Sequence, residues 1–312
     1  MEFCAKDFIE TADGLIFAVV QTGLEDGKVL CFLRYIYESL SWKKLSTEQA
    51  NSFLQQQYPN YLHYSAILDT PIHAVSAHKI IKHHQPKLRL QQILQASHQH
   101  DAVELDVVKL FRLLSKYETN FEQTGITGSI LIAAQNSGSD IDLVCYCRHT
   151  FHRYRSIIQE LIDHGTLHAL NTQDWLQTYQ RRSCALSFND YVRHEQRKFN
   201  KALINERKFD LSYVDCYEKF TPIHYRKCGA IILQCRVTDD SRAFHYPAEY
   251  EIENNEIAVI VCFTATYIGQ AFNGEWIEVA GLLEQSEHGV KRIVVGSSRE
   301  AQGEYIKVIE PL

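Results

Sequence analysis

The chain has 312 residues, of which 45% are hydrophobic and 22% charged, and its formal net charge is −6. This is an ordinary composition for a soluble protein with room for roughly two or three domains. The negative charge argues against a basic surface for duplex DNA, so any nucleic-acid contact must be local. No apolar run reaches the length of a membrane span, and the N-terminus lacks the pattern of a signal peptide. The sequence therefore predicts a cytoplasmic protein with no membrane partner, and export by a route that needs no signal peptide is the alternative.

Nine cysteines are scattered along the chain without a Cys-x-x-Cys pair. Those within apolar segments, such as Cys31, Cys145 and Cys262, are typical of small buried hydrophobic side chains. The pattern favours a reducing compartment over a disulfide framework or a cysteine metal site.

The first 95 residues predict a small α+β module. Two apolar runs, 14–20 and 29–36, flank Glu25-Asp26-Gly27, which is a hairpin signal. Residues 46–49 read Ser-Thr-Glu-Gln, a capping box that begins a helix ending near Pro59.

Residues 78–84 are basic and helical in pattern, and Pro86 is expected to stop that helix. Their histidines raise the possibility of a metal or phosphate site. Neighbouring residues on a helix diverge by about 100°, so His83 and His84 are poorly placed to share one ion. Solvated or packed histidines are the preferred interpretation.

A clearer helix begins after Asp101, which is placed to cap it. Its apolar residues recur at helical spacing and form one face, which we expect to pack on a sheet: Val103, Val107, Leu110, Phe111 and Leu114.

The centre of the chain offers ligands for both a cation and a phosphate. Gly128 and Ser129 begin an apolar segment of helical length, which breaks at 136–139 and gives way to a strand starting at Asp140. Asp140 and Asp142 lie two apart on this strand, so both carboxylates leave on one face and suit a shared cation. Gly128 permits close backbone approach, and the Ser129 hydroxyl and free amides at the start of the helix suit a phosphate.

This arrangement of apolar-Gly-Ser, ten residues and Asp-apolar-Asp-apolar resembles the signature of the polymerase-β-like nucleotidyltransferases. In that superfamily the Gly-Ser lies on a phosphate-facing turn and both aspartates are metal ligands. The motif covers residues 128–144, and the whole chain resembles predicted archaeal and bacterial nucleotidyltransferases of similar length. An ordinary strand with Asp140 in a loop and Asp142 solvated is the alternative.

A basic segment lies between Leu176 and Lys208, with eight Arg or Lys against three acidic residues, a net charge of plus five. A triphosphate carries more negative charge than two divalent ions cancel, so we expect this segment to bind phosphates. A solvated helical face is the alternative. The selected residues are Arg197, Lys198 and Lys201, followed by Arg193 and His194.

Residues 207–214 predict another strand, with Asp210 between apolar neighbours. Polymerase-β-like enzymes carry a third carboxylate on a later strand beside the Asp-x-Asp strand, so the resemblance implies that Asp210 completes the metal site. A single Asp on a strand is not part of a motif with a defined spacing, so this assignment is less specific. Asp215 is the rival candidate for the third ligand. In a third interpretation, Asp210 is simply solvated.

The remainder of the chain, from Ile223, has the period of β-strands, interrupted by turn signals. Strands are expected at 230–237, 248–252, 257–266, 276–283, 291–295 and 304–308. They predict a small barrel or sandwich, with an OB-like barrel preferred, and such barrels often bind oligonucleotides. The region holds eight basic and thirteen acidic residues, a net charge of minus five. That charge argues against a groove following a nucleic-acid backbone, so structural or protein-docking use is at least as well supported.

The sequence thus predicts an α/β (α+β) protein with three domains: an α+β module over 1–95, a nucleotidyltransferase core with a mixed sheet over 96–222, and a barrel over 223–312. The resemblance implies transfer of a nucleoside monophosphate from a nucleoside triphosphate to a hydroxyl of RNA, a small molecule or a protein. Mg²⁺ or Mn²⁺ would be held by Asp140, Asp142 and Asp210. The alternative is a catalytically silent nucleotide- or RNA-binding scaffold with the same fold.

Overall fold

The computed structural model describes residues 3–66, 68–96, 100–117, 121–182, 184–216, 223–297 and 301–310. These residues form two compact units of mixed α and β structure. The first unit comprises Met1–His168 and Ala202–Thr221, and the second Ala169–Lys201 and Pro222–Leu312. Residues 169–201 therefore belong to the second unit, although the predicted core of 96–222 includes them.

The N-terminal part of the first unit is, in its described residues, a seven-stranded sheet with two helices. Its elements are β1 (Phe8–Thr11), β2 (Leu15–Val19), β3 (Lys28–Glu38), β4 (Ser41–Lys44), α1 (Thr47–Gln57), β5 (Leu62–Ser65), β6 (Thr70–Ser76), β7 (Ile80–His84) and α2 (Pro86–Gln95). The strand order is β5-β6-β3-β2-β1-β7, with β4 beside β3. The hairpin of β2 and β3 and the Ser46 capping box are both confirmed. The core of this part includes Leu54 of α1 and Phe17 of β2.

The helix predicted over 78–84 is wrong. A 3₁₀ turn (Ala77–Lys79) leads instead into β7, which pairs with β1. The two histidines of β7 contact one acid just before β1 and one within it: His83 Nε2 lies 2.7 Å from Asp7, and His84 Nε2 lies 2.9 Å from Glu10. Pro86 begins α2 rather than stopping a helix, because the first helical position needs no N–H donor.

A second sheet in the first unit carries the predicted acids. Its surrounding elements are α3 (Ala102–Leu114), β8 (Thr124–Thr127), β9 (Ile141–Cys145), α4 (Arg148–Asp163), β10 (Lys201–Ile204) and β11 (Arg207–Tyr213). The strand order is β10-β11-β9-β8, in which β11 is parallel and β8 antiparallel to β9. The predicted apolar face of α3 is buried. Asp106 of α3 accepts hydrogen bonds from Asn205 and Arg207 at the β10–β11 hairpin, at 2.7 and 2.8 Å.

The helix predicted after Ser129 is a single 3₁₀ turn, Ile130–Ile132, which ends at the left-handed Ala133. Its consecutive apolar side chains are all buried, and Leu131 and Ile132 pack on Tyr35 of the N-terminal sheet. A regular helix would turn successive side chains away from one another. Tertiary packing therefore overrides the helical pattern here.

The second unit contains two helices and a closed five-stranded barrel within its described residues. Its elements are α5 (Thr172–Gln180), α6 (Phe188–Gln196), β12 (Tyr225–Asp239), β13 (Ala248–Ile252), β14 (Ile257–Cys262), β15 (Trp276–Ser286), β16 (Lys291–Val295) and β17 (Tyr305–Ile309). The barrel order is β12-β13-β14-β16-β15, and β15 closes the ring onto β12. The pair of β14 and β16 is parallel, and β17 pairs with β15. The predicted C-terminal barrel is confirmed, and the sandwich alternative is wrong.

Of the nine cysteines, four are buried thiols, three are partly or fully exposed thiols and two form a disulfide. Cys31, Cys145 and Cys262 are buried as expected, and burial raises the pKa of each thiol. Cys4 and Cys216 are bonded across 212 residues, with Cα atoms 5.5 Å apart. No local pattern in the sequence indicates this pair. In the described part of the chain, no helix is long and apolar enough to cross a membrane.

Candidate active site

Asp142 and Asp210 lie side by side on neighbouring strands. Asp142 of β9 is the register partner of Asp210 of β11, and the two strands are parallel. Neighbouring strands run about 4.8 Å apart, and register partners point to the same face. Phe209 and Leu211 are buried while Asp210 is partly exposed, so the predicted orientation of this strand is confirmed.

Asp140 lies just before β9, two residues from Asp142, and is also partly exposed. Its charge acts on Asp142 less strongly than that of Asp210. The rival Asp215 lies beyond the end of β11, where its Oδ2 accepts a hydrogen bond from Tyr213 at 3.3 Å. The structure thus favours Asp210 over Asp215 as the partner of Asp142.

On the other side of Asp142, β8 delivers Thr127 and then Gly128. Thr127 is the register partner of Asp142 on the antiparallel strand. Gly128 has φ +69°, and a Cβ at this position would collide with Oδ2 of Asp142. The close backbone approach expected at Gly128 is therefore present, and it is made to a carboxylate of the protein.

Ser129 helps to shape the loop that leads into Asp140. Its hydroxyl donates to the Ser139 hydroxyl at 3.3 Å, which also accepts from the backbone N–H of Asn136 at 3.0 Å. Because only a single 3₁₀ turn follows Ser129, the helix whose free N-terminal amides were expected to bind a phosphate is missing here. A phosphate-binding role for Gly128 and Ser129 stays a prediction.

The environment of Asp142 disfavours its charged form. Burial, Asp210 and Asp140 raise the pKa of Asp142, while Lys6 and Lys44 oppose that rise; the resulting pKa is about 6. A carboxylate that is partly desolvated and repelled by like charges gains from a bound cation.

The donor set fits magnesium or manganese. Among the described residues, no group of three or more His, Cys, Asp or Glu side chains is already arranged around one point to hold a metal ion. Magnesium is usually bound by one or two carboxylates together with waters and substrate phosphates, so it does not need a complete protein cage. Asp142 and Asp210 supply such a carboxylate pair on one sheet face.

The predicted phosphate-binding cations belong to the second unit, where each is paired. Arg197 donates to Glu275 Oε1 at 2.5 Å and stacks on Phe272, 4.3 Å from its ring centroid. Lys198 and Lys201 donate to the two carboxylate oxygens of Glu195, both at 2.5 Å. The structure thus brings these three cations together with acids of their own unit.

Glu195 and Lys198 form a buried ion pair. Burial alone would raise the pKa of Glu195, but Lys198 and Lys201 lower it well below its ordinary value. Lys198 also donates to the Thr266 carbonyl at 3.2 Å. These contacts are those of a structural network, in which every charge has a partner.

Arg193 and His194 are likewise engaged in tying α6 to β17. Arg193 donates to the Val308 carbonyl at 2.6 Å. His194 Nδ1 donates to the Asp190 carbonyl at 2.6 Å, and its Nε2 accepts from the Val308 N–H at 3.0 Å. Burial lowers the pKa of His194 to about 4, so the ring is neutral near pH 7.

Comparison with known proteins adds one relative. The chain is 32% identical over 338 aligned positions to the uncharacterized protein MJ1086 of Methanocaldococcus jannaschii. The chain belongs to the MJ1086 family. The similarity covers 99% of both proteins, so the aligned region includes both units of this chain. No protein-family model and no solved structure matches the chain.

Proposed function

We propose that this protein is a metal-dependent nucleotidyltransferase that transfers a nucleoside monophosphate from a nucleoside triphosphate to an acceptor hydroxyl. The observation that carries the proposal is the register pairing of Asp142 with Asp210, beside the Gly128 turn. This pairing sets a carboxylate of a later strand next to the Asp-x-Asp strand. The resemblance to polymerase-β-like enzymes implies the same arrangement.

The roles of the residues follow from their positions. Asp142 and Asp210 would hold a shared divalent ion, with Asp140 as a further ligand. Gly128 leaves room for the Asp142 carboxylate, and Ser129 offers a hydroxyl beside the triphosphate. When bound, Mg²⁺ or Mn²⁺ would neutralise the charge of the phosphates and activate the acceptor hydroxyl.

The barrel is proposed to be OB-like and to serve docking or structure rather than nucleic-acid binding. OB barrels contact oligonucleotides through the face of their second and third strands, which correspond to β13 and β14. β13 carries Glu249 and Glu251 on its more exposed side. Glu249 is paired with Arg242 at 2.8 Å, and the exposed Glu251 would repel a phosphate backbone. RNA therefore remains an acceptor to be tested, alongside a small molecule or a protein.

The deciding experiment incubates the protein with each α-labelled nucleoside triphosphate, Mg²⁺ or Mn²⁺, and total RNA. We expect metal-dependent label transfer and pyrophosphate release, both lost in Asp142→Asn. Lys43→Ala is the control variant, because Lys43 makes an exposed ion pair with Glu38 at 2.8 Å. A silent nucleotide-binding scaffold would bind a triphosphate without releasing pyrophosphate, and that outcome would refute the enzymatic assignment.

A further inference from the structure

The N-terminal segment makes a tight turn that holds Lys6 in an unusual backbone conformation. The Asp7 N–H donates to the Cys4 carbonyl at 3.1 Å, and the Cys4 N–H donates to Asp7 Oδ2 at 3.0 Å. Lys6 has φ +77°, in the left-handed region that side chains with a Cβ disfavour. The surrounding hydrogen bonds hold the backbone of Lys6 in this conformation.

The same turn is fastened to the strands that carry the acids. The Thr127 hydroxyl donates to the Lys6 carbonyl at 2.8 Å, and Thr127 is the register partner of Asp142. Ala5 packs with Val144 of β9. The Cys4–Cys216 disulfide adds a covalent link to the chain just beyond β11. The backbone of Lys6 is thereby fixed next to the strands that carry Asp142 and its register partner Thr127.

A second lysine reaches the same region from β4. Lys44 is the register partner of Tyr35 in the antiparallel pair of β3 and β4, so both side chains leave on one face. Tyr35 packs on Leu131 and Ile132, which follow the Gly128-Ser129 turn. Lys44 therefore lies on the sheet face that covers this turn. Its neighbour Lys43 points the other way and pairs with Glu38.

Both lysines are accessible and act on Asp142. Lys6 is half-buried and Lys44 is exposed. Each of the two positive charges interacts electrostatically with Asp142. The ammonium groups therefore lie within electrostatic reach of the proposed metal site.

We propose that the N-terminal part of the first unit supplies the cations of the phosphate site, with Lys6 and Lys44 contacting the triphosphate next to Asp142. A lysine ammonium binds phosphate as a point charge, and two of them complement the negative charge that divalent ions leave on a triphosphate. Arg197, predicted for this role, is paired with Glu275 in the second unit. The identity of the ligand rests on the proposed function, while the cationic site itself rests on the geometry of the first unit.

The test measures binding of inorganic tripolyphosphate, with and without Mg²⁺, by isothermal titration calorimetry. Lys6→Gly removes the charge and suits the left-handed backbone, so it should keep or raise the melting temperature. We expect Lys6→Gly and Lys44→Ala each to weaken binding about tenfold, as expected for the loss of a charge-assisted hydrogen bond. The matched controls Lys43→Ala and Arg197→Ala should leave the affinity unchanged.

Absence of tripolyphosphate binding by the parent would overturn the inference. So would equal affinity in Lys44→Ala and Lys43→Ala, or a loss confined to Arg197→Ala. Failure of the proposed function has a different signature: tripolyphosphate binding that depends on both lysines, together with no metal-dependent transfer of any nucleotide. In that case the polyphosphate site stands and the enzymatic assignment falls.

Discussion

Asp142 and Asp210 are register partners on parallel neighbouring strands, β9 and β11, and thus face the same side of one sheet. Two carboxylates in this relation repel each other, and the protein adds partial burial to that repulsion at Asp142. The arrangement costs stability in the absence of a cation and favours binding of one. This makes pH and divalent ions the most direct probes of the site.

The first prediction concerns pH without metal. The pKa of Asp142 is raised in the folded protein from 3.8 to about 6, so the native state binds this proton more tightly than the unfolded state. The free energy of unfolding should therefore fall as pH rises through this window, by about 2 kcal/mol once solvent screening is allowed for. Urea unfolding of the parent and Asp142→Asn from pH 4 to 7 measures this, and the variant should lack that component. If the free energy of unfolding changed with pH in the same way in both proteins, Asp142 would ionise as easily in the native state as in the unfolded state.

The second prediction concerns Gly128. A Cβ here would meet Oδ2 of Asp142, and the left-handed φ is unfavourable for any other residue. Gly128→Ala should destabilise the protein by about 1–3 kcal/mol and abolish nucleotidyl transfer. Gly138→Ala is the matched control, because a Cβ at Gly138 meets only Asn136 Oδ1 at an ordinary 3.5 Å. Wild-type transfer by Gly128→Ala would mean that the Asp142 carboxylate has no fixed role in the reaction.

The sequence predicted correctly those elements whose structure depends on contacts between residues close together in the chain. The capping box at Ser46 begins α1, and the predicted strands 248–252 and 291–295 coincide with β13 and β16. The position of Asp210 beside Asp142 was expected from the resemblance and not from any spacing in the sequence, which left Asp215 as a rival.

Features set by distant contacts were not predictable in this way. Pairing of β7 with β1 overrides the helical pattern of 78–84, and burial of Leu131 and Ile132 against Tyr35 shortens the helix expected after Ser129. The placement of Lys6 beside Asp142 depends on contacts between residues far apart in the chain. The positive net charge of residues 176–208 suggested Lys198 as a phosphate ligand instead, but Lys198 forms an ion pair with Glu195 in its own unit.

The third prediction concerns that buried ion pair. Glu195→Gln leaves Lys198 buried without its anionic partner, so the second unit should lose about 3–5 kcal/mol of stability. The pKa of Glu195 is lowered in the folded protein from 4.5, so its contribution is present above that pH and is lost as pH falls below it. Urea unfolding followed by Trp175 and Trp276 fluorescence in a Trp42→Phe background reports on this unit.

The exposed Glu206→Gln is the control for Glu195→Gln and should change stability by less than about 0.5 kcal/mol. Tripolyphosphate affinity should stay at the parent value in both variants at pH 7. A selective loss of tripolyphosphate binding in Glu195→Gln, with stability preserved, would support Lys198 and Lys201 as phosphate ligands.

The last prediction separates Asp210 from its rival. Asp210→Asn nearly preserves shape and removes the charge that repels Asp142, so the metal-free variant should melt at or above the temperature of the parent. The parent should gain stability with Mn²⁺ through selective binding to the folded state, and Asp210→Asn should lose most of that gain together with transfer activity.

Asp215→Asn is the matched control and should retain both the Mn²⁺ effect and the activity, because Asp215 lies beyond β11 and bonds to Tyr213. Differential scanning fluorimetry across a Mn²⁺ titration compares the three proteins directly. Retention of the Mn²⁺ effect in Asp210→Asn and its loss in Asp215→Asn would move the metal site away from the β9–β11 pair.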